Sequence, residues 1–134
     1  MAKPVIVIGT PCFGGLVTNG YMESVIHLMH HAAGGAGYDV SLTTVGYDAL
    51  ITRGRATIAA TFMDDPTATH LLFVDSDITF RPEQVTRLLN FDKDVVGAFY
   101  PLKIIDWVHM PERHAKGGES LERARKGQRT DQLA

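Results

Sequence analysis

The chain has 134 residues, 45% hydrophobic and 21% charged, an ordinary globular balance with room for one domain and none of the marks of a collagenous, disordered or coiled-coil chain. A net charge of −2 supplies no global field to recruit nucleic acid or an anionic membrane, so any anion must be bound locally. Cys12 is the single cysteine, which excludes an intramolecular disulfide and a zinc site of several thiolates; with no apolar run of membrane-span length and no signal-peptide core, the expected setting is the cytoplasm, without a membrane span.

In chain order, residues 4–9 (Pro-Val-Ile-Val-Ile-Gly) form a β-branched run with no polar face, the pattern of a parallel strand covered on both sides, stopping at Gly9-Thr10-Pro11. A glycine-rich loop follows. Met22, Val25, Ile26, Met29 and Ala33 then recur at helical spacing until Gly34-Gly35. Val40 to Val45 reads as a second strand, Ala49 to Met63 as a second helix, and Thr69 to Val74 as a third strand of the buried kind. Pro82 suits the first turn of a third helix with Val85, Leu88 and Leu89 facing inward, and Asp94 to Tyr100 supplies a fourth strand closed by Pro101.

Strands alternating with helices predict an α/β fold: a mostly parallel sheet of about four strands with helices on both faces, Rossmann-like, with ligands at the carboxyl ends of the strands. Residues 1–108 carry seven basic and eleven acidic side chains, whereas residues 109–134 carry six and four and almost no large apolar residue. The compact domain is therefore expected to span 1–108, followed by a polar, basic tail at 109–134, partly helical near Glu119 to Lys126 or disordered.

The sharpest chemical signal is Asp75-Ser76-Asp77, two carboxylates one residue apart where a buried strand meets its loop. An extended chain would put both on one side, where hard oxygen donors suit Mg²⁺ or Mn²⁺ bridging to a diphosphate. The competing reading is that both merely cap the turn toward the next helix. Asp75-Ser76-Asp77-Ile78-Thr79 also resembles the first motif of haloacid-dehalogenase-like phosphatases, with Asp75 as nucleophile. Position argues against that alternative, because the motif opens such domains, whereas three strands would precede it here and 57 residues follow Asp77.

Arg53 and Arg55 start the second helix, where positive charge opposes the helix dipole. Either a ligand phosphate or a carboxylate partner would offset this, and a solvated helix start is the bland alternative. The loop Gly9-Thr10-Pro11-Cys12-Phe13-Gly14-Gly15 lacks the lysine and Ser/Thr of a P-loop and the spacing of a dinucleotide fingerprint. Cys12 has no evident base beside it and reads as a small buried thiol. His27, His30 and His31 fall opposite the apolar stripe and read as a solvated face, His70 as an edge residue, and His109 and His114 as tail residues.

Together, Thr10 to Gly15, the Arg53-Gly54-Arg55 helix start, Thr69 to Ile78 and Gly97-Ala98-Phe99-Tyr100-Pro101-Leu102-Lys103 resemble glycosyltransferases of the GT-A fold, specifically family-2-like enzymes of bacteria and phages. The resemblance spans about residues 4–107 and implies a nucleotide-sugar-binding half using Mn²⁺ or Mg²⁺ and a UDP- or GDP-linked donor. It assigns Asp77, with Asp75, to the metal, Asp75 and Ser76 to the donor, Thr10 and Pro11 to the nucleotide pocket, Arg55 to the base or diphosphate, and Asp48 to the base. The family's second half, with its acceptor pocket and catalytic base, has no counterpart in the pattern, and Asp106 and Glu112 stand in what is a connecting segment there. The catalytic residue is left unassigned. A non-catalytic nucleotide-binding or self-associating module is the alternative, since a homodimer would cover apolar surface left by a missing half.

Overall fold

The computed structural model describes residues 3–100. The chain divides into two units, Met1–Asn90 and Phe91–Ala134. The first contains β1 (Val5–Cys12), a 3₁₀ turn (Phe13–Gly15), α1 (Asn19–Ala33), β2 (Asp39–Gly46), α2 (Ile51–Asp64), β3 (His70–Phe73) and α3 (Pro82–Asn90). This is an α/β fold with a parallel sheet in the order β2-β1-β3.

The described sheet has three strands, and the expected fourth is not formed: residues 94–100, in the second unit, contain no strand. A strand exists only through a ladder, and this run has Gly97 at its centre and the donorless Pro101 after it. The expected boundary at residue 108, the tail and its helix, Leu102, Lys103, Asp106, His109, Glu112 and His114 lie outside the described residues.

β1 is the only described strand with partners on both sides, and Ile6 through Thr10 are all buried. Its alternation assigns the two faces. Ile6 and Ile8 join Tyr21, Val25, Leu28 and Ala32 of α1, Tyr38, and Val85 of α3 in one apolar core. Full burial of Ile8 and Leu28 contributes about 1.5–3 kcal/mol each. On the opposite face α2 packs against Gly9 and Pro11, through Ile58 and Gly54 respectively. Helices thus cover both faces, as expected of βαβ units.

Strand β1 runs three residues beyond the expected stop at Gly9, pairing Thr10, Pro11 and Cys12 with Thr44, Val45 and Gly46. Pro11 is tolerated because Val5 and Gly9 accept from Thr69 and Val74, so odd residues of β1 turn their backbone groups toward β3, which ends before reaching Pro11. The inward face of α1 also differs from expectation. Met22 and Ile26 are 46% and 44% exposed, and Tyr21, Ser24 and Leu28 take the inward places. Strand β3 is half exposed rather than buried, with Leu71 and Leu72 intermediate and His70 and Phe73 exposed. It is an edge strand among the described residues.

The β1–α2 contact depends on the absence of a side chain at Gly9, where an added Cβ would lie 2.5 Å from Cγ2 of Ile58 and 3.1 Å from Cδ1 of Leu71. Gly9→Ala is therefore expected to destabilise the protein by roughly 1–3 kcal/mol through overpacking, read from urea denaturation midpoints. Shortening Ile58 to Ala in the same chain should cost less than in the wild type, because it vacates the clashing position.

Candidate functional site

The order β2-β1-β3 makes the gap between the carboxyl ends of β1 and β3 a topological switch point, since the β1–β2 connection leaves on one side and β3 lies on the other. The β1–α1 loop enters this gap. Gly14 and Gly15 hold φ of 67° and 70°, left-handed values that favour glycine. Thr18 then ties the loop to the end of β3: its amide donates to the Ser76 carbonyl at 2.9 Å and its hydroxyl to the same oxygen at 3.3 Å. The same hydroxyl accepts from Tyr21 N, capping α1.

After β3 the chain turns instead of continuing extended, with Ile78 N donating to the Asp75 carbonyl at 3.1 Å. The two carboxylates of Asp75-Ser76-Asp77 therefore belong to a turn, and strand alternation does not set their directions. Asp75 does not spend its side chain on the turn; Oδ1 accepts from Nη2 of Arg55 at 2.8 Å. This pair joins the start of α2 to the end of β3 across 20 positions of sequence. Both members are partly exposed, so solvent screening holds its net worth to about 0–1 kcal/mol. Nε of Arg55 is buried and has no hydrogen-bond partner among the described residues, a condition that costs on the order of 1–3 kcal/mol.

The second arginine is held differently. Asp48 accepts from Nε of Arg53 at 2.7 Å through Oδ2 and from Nη2 at 2.8 Å through Oδ1, and Oδ1 also accepts from Leu50 N at 2.9 Å. This bidentate pair fixes the turn into α2 and offsets the arginine's unfavourable place at a helix amino end. The Asp48 carboxyl is held below its ordinary value by Arg53 first and the Leu50 amide second. Each carboxylate oxygen of Asp48 is engaged at the entry to α2, with Oδ2 accepting one bond and Oδ1 two.

Thr10 is fully buried, and its hydroxyl shares a 2.5 Å hydrogen bond with the Tyr21 hydroxyl. The residue faces α1, so the expected lining role does not fit it. Pro11 faces α2 at Gly54. Cys12 is buried, and burial raises its thiol pKa, which disfavours the thiolate a nucleophile needs. His27, His30 and His31 are exposed on α1, as the solvated-face reading requires. His70 is exposed and contacts the Thr69 hydroxyl through Nδ1 at 2.8 Å.

Sequence reasoning missed Tyr47. It is 87% exposed at the carboxyl end of β2, with φ of 60°, and a Cβ on Gly15 would lie 3.0 Å from its hydroxyl. A bulky residue at positive φ is an uncommon conformation, legible only from the backbone.

Among the described residues, no group of three or more His, Cys, Asp or Glu side chains is arranged to hold a metal ion. A complete protein cage is therefore not built from them. The residues do fit the other common arrangement, in which one or two carboxylates and the oxygens of a ligand diphosphate share a hard cation. Asp75 and Asp77 carry hard oxygens and lie two residues apart after β3, and Arg55 stands against Asp75 with an unsatisfied donor. Comparison with protein-family models, curated proteins and solved structures finds no match. Among the described residues, no helix is long and apolar enough to cross a membrane.

A carboxyl whose folded-state pKa is depressed adds stability above its unfolded value and loses it as pH falls through the folded value. Asp48→Asn is therefore expected to be less stable than wild type at neutral pH. The deficit should shrink as pH drops below the unfolded carboxylate value of about 3.9, read from denaturation midpoints of both proteins along a pH series.

Proposed function

We propose that this chain is a metal-dependent glycosyltransferase resembling the GT-A family, or the donor-binding half of one, working in the cytoplasm on a UDP- or GDP-linked donor. One observation carries the reading: the Asp75-Ser76-Asp77 turn and Arg55 meet at the carboxyl ends of a parallel sheet, beside its switch point. That juxtaposition combines oxygen donors for a hard cation with a guanidinium suited to phosphate oxygens. β2 and β3 lie two inter-strand steps apart across the sheet, roughly 10 Å, on either side of β1, and β2 runs three residues further along it than β3. In this reading a donor lies across the end of β1.

Asp75 and Asp77 would hold Mn²⁺ or Mg²⁺, and Asp75 and Ser76 would contact the donor. Arg55 donates to the diphosphate. When bound, the cation neutralises charge that builds on the departing nucleoside diphosphate. The guanidinium acts in the same sense, as a preorganised positive group where negative charge develops. No described residue is assigned as the base that would deprotonate an acceptor.

A second reading has its own observation. The outer edges of β2 and β3 are unpaired among the described residues, and Leu42 and Phe73 are exposed there. Self-association through such an edge is the physical remedy, and it would make the chain a homo-oligomeric module.

Calorimetric titration of UDP and GDP into the full chain, with Mn²⁺ and again with EDTA, separates these readings. The donor reading expects at least one diphosphate to bind about tenfold or more tightly with the cation, a difference of roughly 1.4 kcal/mol, and expects Asp77→Asn to erase it. Equal affinity under both conditions would refute it; no binding, together with a dimer in light scattering, would favour the self-associating module.

A further inference from the structure

Arg55 and Asp75 are each other's partners in the free chain, although each belongs chemically to a different half of the proposed ligand. A guanidinium is matched to phosphate oxygens and a carboxylate to a hard cation. Their contact is slight. It consists of one hydrogen bond, Nη2 to Oδ1 at 2.8 Å, while Nε lies buried with no partner among the described residues. Arg55 reaches Asp75 at the expense of a stranded donor. The Asp48–Arg53 pair a few residues away shows the contrasting case, bidentate and reinforced by the Leu50 amide.

We infer that Arg55 holds a cation's place on Asp75 in the free chain, so that the site accepts a divalent cation and a nucleoside diphosphate together and grips neither well alone. This rests on the donor reading above. The reason is a balance of charge pairs. A lone cation approaching Asp75 is repelled by the Arg55 guanidinium and shares with it a carboxylate whose charge is already partly neutralised. A lone diphosphate approaching Arg55 meets the Asp75 carboxylate that already pairs with it. When both arrive, Asp75 exchanges Arg55 for the cation and Arg55 exchanges Asp75 for the diphosphate. Each side chain then keeps an opposite-charge contact, and Nη2, released from Asp75, together with Nε, unpartnered among the described residues, gains phosphate oxygens to donate to. Bidentate Arg–phosphate geometry rewards that exchange.

The sign of one substitution tests this. Mn²⁺ alone is titrated into the full chain and its free fraction followed by electron paramagnetic resonance, for wild type, Arg55→Gln, Arg55→Lys and Arg55→Gln combined with Asp75→Asn, each checked for cooperative melting. The exchange predicts that Arg55→Gln binds Mn²⁺ alone about tenfold more tightly than wild type. Arg55→Lys, which keeps the charge, should stay near the wild type, and Asp75→Asn should remove the gain. In the same proteins, UDP or GDP with Mn²⁺ should bind Arg55→Gln more weakly than wild type. Arg55→Gln binding Mn²⁺ no better than wild type, including no binding by either, would overturn the inference, as would a gain that survives Asp75→Asn. Failure of every protein to bind either nucleoside diphosphate would instead refute the donor reading, while the Mn²⁺ arm still decides the exchange.

Discussion

Strand β1 is the constraint on which the rest of the first unit depends. Among the described strands it alone has neighbours on both sides, and its even positions build the core with α1 and α3 while Gly9 and Pro11 receive α2. Because one buried strand serves both layers, the positions of the helix starts and of the β3 end are fixed relative to its carboxyl end. Arg55 begins its reach from α2, seated on Pro11 through Gly54 one residue earlier. Asp75 begins from a strand hydrogen-bonded to β1 through the Val74 amide and Gly9 carbonyl. The ion pair at the sheet edge is thus positioned by backbone packing, not by its own weak attraction.

The two arginines of one helix start show how similar sequence yields different physics. Arg53 meets a carboxylate already organised by a turn amide, so its fork is satisfied and the pair stiffens the entry to α2. Arg55 meets its carboxylate once, over a partly exposed gap, and leaves a donor buried without reward. A satisfied pair resists exchange and an unsatisfied one invites it. That contrast is why Arg53 belongs to the fold and Arg55 to the proposed site.

Much of the fold was legible because parallel strands and amphipathic helices write strong periodic signals. The β-branched run at Val5 to Ile8 and the apolar spacing at Val25 and Met29 located β1 and α1 from composition alone. The misses have local causes. Tyr21 and Ser24 are inward residues that an apolar stripe does not count, the first because its hydroxyl is matched to Thr10 and the second because its hydroxyl donates to Gly20 O and accepts from Phe80 N. Pro11 reads as a breaker in one dimension, yet sits in a strand where the missing donor faces no neighbour. Thr10 belongs to a motif that suggested a pocket, but strand alternation sends it to the core. The Asp75–Arg55 pair is a tertiary fact that no spacing rule announces, although the helix-dipole argument for a carboxylate partner pointed to both arginines.

The central claim is that the ligand site of this chain lies at the carboxyl ends of β1 and β3. The most direct test is amide chemical-shift mapping of the ¹⁵N-labelled full chain on addition of Mg²⁺ with UDP, then with GDP. The account predicts that the largest shifts fall on the Gly14–Thr18 loop, on Tyr47 and the first turn of α2, and on Asp75–Ile78. Shifts concentrated at the amino ends of the strands or on the exposed face of α1, or none with either diphosphate, would contradict it.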